Sequence, residues 1–594
     1  MITLSDFQDH LSHKAPLKHS SRKYVDGQEQ QLRQWAASLP TQTEVQQAVQ
    51  IEQVLTELAA ADLDDKLRLK LLTIVACASE RLITSLHKHY HYELGALSKT
   101  QRVYVDQVKS LYYSTILAYD NIIQRKSLTL TNQRGPTTGR GWTRFLTLAK
   151  TSPLVLAAAI YQSLTIYQKL LSEHNISYQP SPPHLWAAFN ELYDLACQIN
   201  VAHTDLSTQV IAKQAHSIHG LYVQVCLQSL LNVRAMRRSN MLLIQRLLPL
   251  WATHVHAAIE PQTETRIFVD LQSGSPPDYL TASSAINPYE AHHRCLFIEL
   301  GPLITYLQQR KQALVDSNNA AIEYQLVNKV LMAMKHRYVE RAMTLPTKYH
   351  TRQRATVIGG FNNIHYKVAG AKSLVDLIAA RELAVEQLPR YDTQPKKGDT
   401  QGVLEVEVID STDIASQMRV LHLLSPEDLV VPLSKTDDEA TGQQSSLLKA
   451  DILDAETDSS DTLNTAPPPL SFMSLLLLQY SHNDSKCKWS MGMVRWLNLD
   501  NKPIEVEWQV LGHVLTACAL RLDIRDHRGQ SFMPAFMVAG DESLQTEFSI
   551  IVPSHHFQTN DKVMLRINDK QKTLCLQQCL LNSEEFSQYK VIQI

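Results

Sequence analysis

"VLEVEVIDSTDIASQMRVL", residues 403–421, alternates apolar and polar side chains and then breaks into Asp410, Ser411, Thr412 and Asp413. The alternation is that of a half-buried strand. The polar cluster that ends it reads in two ways. It is either the turn that closes the strand, or the lip of a ligand site, where a carboxylate and a hydroxyl stand beside backbone that something else approaches.

The same period extends on either side. "ATVIGGFNNIHYKVAG" precedes it, with β-branched residues and a Gly pair, followed by a short helical stretch in "AKSLVDLIAARELA". "SFMSLLLLQYS", "KWSMGMVRWLNLD", "IEVEWQVLG", "CALRLDIRD", "EFSIIVPS", "KVMLRIND" and "KTLCLQQCLL" follow, with turns such as "DHRG" and "NDK" between them. Short strands at this spacing predict an antiparallel barrel or sandwich over residues 346–594. Residues 435–469 interrupt it with an acidic, Ser/Thr-rich stretch ending in three prolines, a composition that predicts a disordered insertion.

Upstream the period is helical. "VQQAVQIEQVLTELAAADL" sets Val49, Ile51, Val54, Leu55 and Leu58 on one broad stripe, and "DDKLRLKLLTIVACASERLITSLHKHY" carries a second, with Asp64 and Asp65 suited to its N-terminus. "LWAAFNELYDLACQINVAH" and the long apolar stretch around "LYVQVCLQSLLNV" continue the pattern, and no repeat of fixed period is visible. The expected architecture is multidomain α plus β. A polar tail over 1–30 leads into an all-α helical bundle or array over 31–340, and a C-terminal antiparallel β-barrel region follows.

Composition narrows the function. The formal net charge is −2, without the basic footprint of a nucleic-acid binder. The runs "PLVLAAAIY" and "SFMSLLLLQY" are about half the length of a membrane span, and the N-terminus is too polar for a signal peptide. Eight scattered cysteines fit reduced thiols, so a cytoplasmic protein is expected.

Chemistry is sparse. "GPTTGRGW" lacks the Lys-Ser/Thr of a phosphate-binding loop, and no nucleophile elbow, zinc-protease or dinucleotide fingerprint occurs. Cys575 and Cys579 read as core. In "HKHYHYE", His87 and His91 share a helical face, yet no third ligand is evident, and a solvated helix end is the expectation. Arg234, Arg237 and Arg238 in "RAMRRSN" read as a charged helix end beside a turn. No enzyme, metal site or cofactor is expected.

The order Asp410, one residue, Thr412, two residues, Ala415 resembles the D/N-x-S-x-x-G motif of PilZ domains, the small β-barrels that bind the bacterial messenger cyclic di-GMP. In that family an R-x-x-x-R stretch precedes the barrel. Here Lys348 and Arg352 have that spacing, with Arg354 close by. Gly492, Val494, Arg495 and Trp496, then Leu511 and Gly512, are similar to the family's later strand pair. The resemblance also extends to a subgroup with a long helical N-terminal half. It implies a PilZ-like barrel, with cyclic di-GMP as ligand and Lys348, Arg352, Arg354, Asp410, Thr412 and Ala415 as its contacts.

Those residue types suit that ligand. Arginine forks bind guanine edges or phosphates in bidentate fashion and stack on bases. Carboxylates and hydroxyls take guanine N–H donors. Three departures matter: Lys348 loses the fork, Thr412 adds a methyl, and Ala415 adds a Cβ where a glycine stood. Two readings therefore stay open. One is a non-enzymatic cyclic di-GMP effector that signals to a protein partner through its helical half. The other is a degenerate barrel in a nucleotide-independent interaction scaffold. Oligomeric state is not legible.

Overall fold

The computed structural model describes the chain apart from residues 1, 4, 8, 10–19, 24–27, 134–152, 209–214, 262–263, 282–283, 291, 318–320, 340–349, 395–402, 412–416, 425–466, 481–488, 501 and 524–530. Two compact units emerge. One is built from residues up to Tyr306 and the other begins at Leu307. The insertion expected at 435–469 falls almost wholly outside the described residues.

In the first unit, a short parallel pair, β1 (Ser20–Lys23) and β2 (Ala61–Asp62), accompanies α1 (Gln28–Ser38), α2 (Glu44–Ala60) and α3 (Asp65–His87). Thr43 caps α2 through a capping box with Gln46. Asp64 caps α3 by accepting from the Lys66 N–H at 3.1 Å, the role its position suggested. The buried stripe of α2 is Ala48, Ile51, Leu55, Leu58 and Ala59. Val49, counted in the stripe from sequence, is 59% exposed, because it stands one residue off a seam set by spacings of three and four.

The centre of this unit is α5 (Pro153–Ile176), against which α3, α4 (Lys99–Gln133), α6 (Pro183–Gln198), α7 (Ile218–Leu230) and α8 (Arg238–Ala252) pack. It is long and apolar enough to cross a membrane, yet 72% of its most apolar stretch is buried inside the unit. A helix apolar on every side is what a core position requires.

Two expectations are corrected here. The expected all-α span contains a four-stranded sheet, β3 (His256–Ala258), β4 (Ile267–Asp270), β5 (Asp278–Tyr279) and β6 (Cys295–Glu299), in the order β3-β6-β4-β5. Its longest member, "CLFIE", is a continuous apolar run too short for a helix. Arg238 is not a solvated helix end. It is 3% exposed, and its guanidinium donates to the carbonyls of Ile176, Glu93 and Gly95 at 2.9, 2.8 and 2.7 Å while lying over the Tyr178 ring. A planar five-donor group can tie three orphan carbonyls at once.

The second unit opens with α9 (Gly301–Ser317), which the unit boundary crosses, and α10 (Ala321–Met334). A π-helical turn follows at Lys335–Val339. The strands after it close into two barrels where one had been expected. The first contains β7 (His350–Gly359), β8 (Val403–Ser411), β9 (Met418–Leu423), β10 (Leu475–Tyr480), β11 (Trp489–Asn498) and β12 (Ile504–Gly512). The second contains β13 (Leu515–Leu522), β14 (Met533–Val538), β15 (Ser549–Pro553), β16 (Lys562–Ile567), β17 (Lys570–Asn582) and β18 (Phe586–Gln593). With strands counted one to six within each barrel, both close in the same order, 1-2-3-6-5-4. Six strands suffice for each closure, which removes every edge.

The barrels share a core. Leu475, Leu477, Met491 and Met493 of the first meet Phe536, Val538, Ile551 and Phe586 of the second, with Phe361 and Ile364 of α11 (Phe361–Val368) alongside. Gly512 makes that approach possible, since a Cβ there would fall 2.4 Å from Val538. The Glu585 carboxylate accepts from the Phe361 N–H at 2.8 Å and the Leu475 N–H at 3.0 Å, joining a turn of one barrel to the backbone around the other.

Candidate ligand site at the first barrel

Strand β7 pairs antiparallel with β8, so that His350 stands opposite Ser411, Thr351 opposite Asp410, Arg352 opposite Ile409 and Arg354 opposite Glu407. Asp410 lies in the strand, one step from its end at Ser411, rather than in a detached turn. The register thus pairs Asp410 with Thr351, and sets Arg352 one position further along β7, in the outward alternation that Arg354 shares with Glu407. Arg354 is exposed. Lys348, Thr412 and Ala415 lie outside the described residues, and Arg352 and Asp410 are described by their backbone alone.

The pairing brings in a residue the sequence reading missed. β8 pairs antiparallel with β9 as far as Ile409 opposite Val420. One further step in that register sets Arg419 across from Asp410. Arg419 pairs on its other side with Trp508. It could have been found by counting the strand pair outward from its turn, but only once the length of the turn was known.

Next to it is a half-buried polar chain. Arg495 Nε donates to Gln509 Oε1 at 2.9 Å, Gln509 Nε2 donates to Gln417 Oε1 at 2.9 Å, and the Gln417 carbonyl accepts from the Val510 N–H at 2.8 Å. Gln417 directly precedes β9, at the strand end that Asp410 occupies. The residues quoted for the later strand pair thus have structural reasons. At Gly492 only glycine fits, because a Cβ there would come within 2.2 Å of the buried Trp508 ring. Arg495 orders the chain of amides.

The stretch leading into the basic arm is anchored. Glu507 on β12 is 4% exposed and is held by His336 at 2.5 Å and by Arg337 at 3.1 Å, both from the π-helical turn. The Arg337 guanidinium lies 5.3 Å from the Trp496 ring centre. A buried carboxylate paired by two such donors holds its partners firmly, since removing either leaves a buried charge uncompensated. Nothing in the alternation of "IEVEWQVLG" distinguished Glu507 from Glu505. Only the docking of Lys335–Val339 buries it.

On the outer face, Arg354, Glu407, His422 and Glu505 form a row across four strands, and His422 stands 3.9 Å from each of the two carboxylates. Contacts this long at a surface contribute little to stability.

Comparison with known proteins adds to this geometry. Residues 30–262 match the family described as "Cyclic-di-GMP receptor FimW, N-terminal domain". Residues 518–593 match the "FimW C-terminal beta-barrel domain", which coincides with the second barrel. The chain is similar to the "Cyclic-di-GMP receptor FimW" of Pseudomonas aeruginosa, at 20% identity over 605 aligned positions, covering 98% of this chain and 93% of that protein. No solved structure matches. The chain thus carries, in the same order, segments matching both terminal domains of one cyclic-di-GMP receptor family, with the first barrel between them.

Proposed function

We propose that this protein is a non-enzymatic cyclic di-GMP receptor of the cytoplasm. Its ligand docks at the first barrel, between the basic arm around Lys348, Arg352 and Arg354 and the strand end from Asp410 through Thr412 to Ala415. The observation that carries the reading is the β7–β8 pairing, which joins the strand that carries Arg352 and Arg354 to the strand that ends at Asp410, with β9 and its Arg419 on the other side. Similarity to a named receptor over nearly the whole chain supports the ligand class.

The roles follow from the chemistry. Arg352 and Arg419 supply planar forks for phosphate or guanine edges, and Lys348 adds charge without a fork. Asp410 and Thr412 accept from and donate to guanine N–H and carbonyl groups. Arg354 serves chiefly to hold positive potential at the rim. The π-helical turn, fixed through Glu507, holds the residues that lead toward the arm. A protein partner senses ligand capture through its different affinity for the free and bound states.

Isothermal titration of the full chain with cyclic di-GMP tests the reading. Saturable binding is expected, weakened roughly 10- to 100-fold in Arg352→Ala and in Asp410→Ala, the scale of one lost bidentate contact. Absence of heat with the folded protein would favour the nucleotide-independent scaffold, for which the departures at Lys348, Thr412 and Ala415 already speak.

A further inference from the structure

The helical unit holds a second constellation. His87 closes α3, His91 lies in the turn after it, and Glu173 projects from the central helix α5. One donor atom from each of the three lies within 4.8 Å of the other two. The sequence offered the two histidines at helical spacing but hid the third group, which stands eighty-odd residues away and arrives only through the packing of α3 on α5.

Three features set the cluster apart from an ordinary buried ion pair. Glu173 is 2% exposed, with one oxygen accepting from the Tyr90 hydroxyl and the other 3.2 Å from His87 Nε2. The His91 ring stacks on His87 with centroids 3.8 Å apart, and its Nε2 is buried without a hydrogen-bond partner among the described residues. A cavity of about 340 Å³ opens on the cluster, with Gln168, Ser172, Gln228 and Arg246 in its wall. An unpartnered ring nitrogen beside a buried carboxylate is an unfavourable arrangement that a cation would relieve.

We propose that His87, His91 and Glu173 form a binding site for a zinc-class divalent cation, with the fourth position open toward the cavity. Two imidazoles and one carboxylate are a recurrent three-ligand set that leaves a place for water or another ligand. Bonds of about 2.0–2.1 Å in a tetrahedral shell set donor atoms about 3.4 Å apart, so donor atoms that lie up to 4.8 Å apart need to close by up to about 1.4 Å. His91 can supply that movement because it sits in a turn rather than within the helix. Tyr90 stands behind as the group that orients the carboxylate. A second cluster of this type among the described residues, Glu290, His292 and His293, is largely exposed and local in sequence, and it serves as the control.

The test uses the full chain, stripped with a chelator and equilibrated by dialysis against zinc chloride. Metal content is read by elemental analysis, and cobalt(II) substitution by visible absorption. The expected result is about one zinc per chain and tetrahedral cobalt bands. His91→Ala should weaken binding by at least the roughly 10- to 100-fold that loss of an outer-shell partner costs. His292→Ala should leave it unchanged. Among the described residues His91 Nε2 has no hydrogen-bond partner that the substitution would remove, and an unaltered circular dichroism spectrum verifies the variant. No stoichiometric zinc, or zinc that survives His91→Ala or leaves with His292→Ala, would overturn the proposal.

Discussion

The two barrels close their six strands in the same order, yet they differ where the second strand gives way to the third. In the first barrel that junction is Asp410-Ser411-Thr412-Asp413-Ile414-Ala415. In the second it contains Asp541-Glu542-Ser543-Leu544-Gln545-Thr546, the same carboxylate-x-hydroxyl order. Asp541 turns inward on its own loop: Oδ1 accepts from the Ser543 N–H at 2.9 Å and the Ser543 hydroxyl at 2.6 Å, while its N–H donates to the Thr546 carbonyl at 3.0 Å. Those hydrogen bonds, led by the Ser543 hydroxyl, hold its carboxyl below the ordinary range.

The strands that precede the junctions differ as well. The first barrel is entered through a basic arm that includes Lys348, Arg352 and Arg354. Between Gly512 and the second barrel's Leu515 stand only His513 and Val514. One barrel therefore has an acidic strand end facing a basic strand, and the other has a self-satisfied turn with no arm. The comparison teaches that a carboxylate-x-hydroxyl sequence is not in itself a site. What stands on the neighbouring strand decides.

The largest way to break this contrast is through the first barrel's own core. Trp508 is fully buried over Gly492, and Trp508→Ala should cost about 3–5 kcal/mol in denaturant unfolding. If the loss is under about 1 kcal/mol, the first barrel does not close around this ring. A smaller effect tests whether the barrels stand or fall together. Glu585→Ala removes the acceptor of two backbone N–H groups and should cost about 2 kcal/mol without separating the unfolding of the barrels into two transitions. Two transitions in the wild type would show that the shared core does not couple them.

Acid sharpens the same point. His365 on α11 is fully buried and stands 2.9 Å from the Cys518 carbonyl on β13. Burial, only partly offset by its backbone partners, lowers its pKa. The unfolded chain then takes up a proton first, so stability is full above the unfolded value of about 6.5 and falls as pH drops through the window below it. Melting temperatures from pH 7 down to pH 5 should decline, less steeply in His365→Gln. An equal slope in the variant would assign the decline elsewhere. The smallest effect is expected at Arg354→Ala. An exposed arginine opposite Glu407 should alter stability by under about 1 kcal/mol, as read in the same denaturant titration.

How much of this was legible beforehand depended on the range of the interaction involved. Strands with clean alternation, such as "VLEVEVIDS", declared themselves because their period is local. The capping by Asp64 did so for the same reason. The division into two barrels did not, because closure depends on which strand pairs with which, and the connection from β12 to β13 is no different in composition from a hairpin turn. At the candidate site, Asp410 and Arg352 were proposed from motif spacing, whereas Arg419 required the register and Glu507 the docking of a distant turn. Glu173 was invisible for a related reason, since an acidic residue within an apolar helix is distinguished only by what packs against it. Arg238 went the other way: a basic cluster suggested a surface, while burial made it a clamp on carbonyls.

The central claim is that the first barrel, and not the second, takes the nucleotide. The measurement that tests it most directly is isothermal titration with cyclic di-GMP of the wild type, Arg352→Ala and Asp541→Ala, each verified as folded. Saturable binding that weakens roughly 10- to 100-fold in Arg352→Ala and is unchanged in Asp541→Ala is the predicted result. Binding lost in Asp541→Ala and retained in Arg352→Ala would contradict it and move the site to the second barrel.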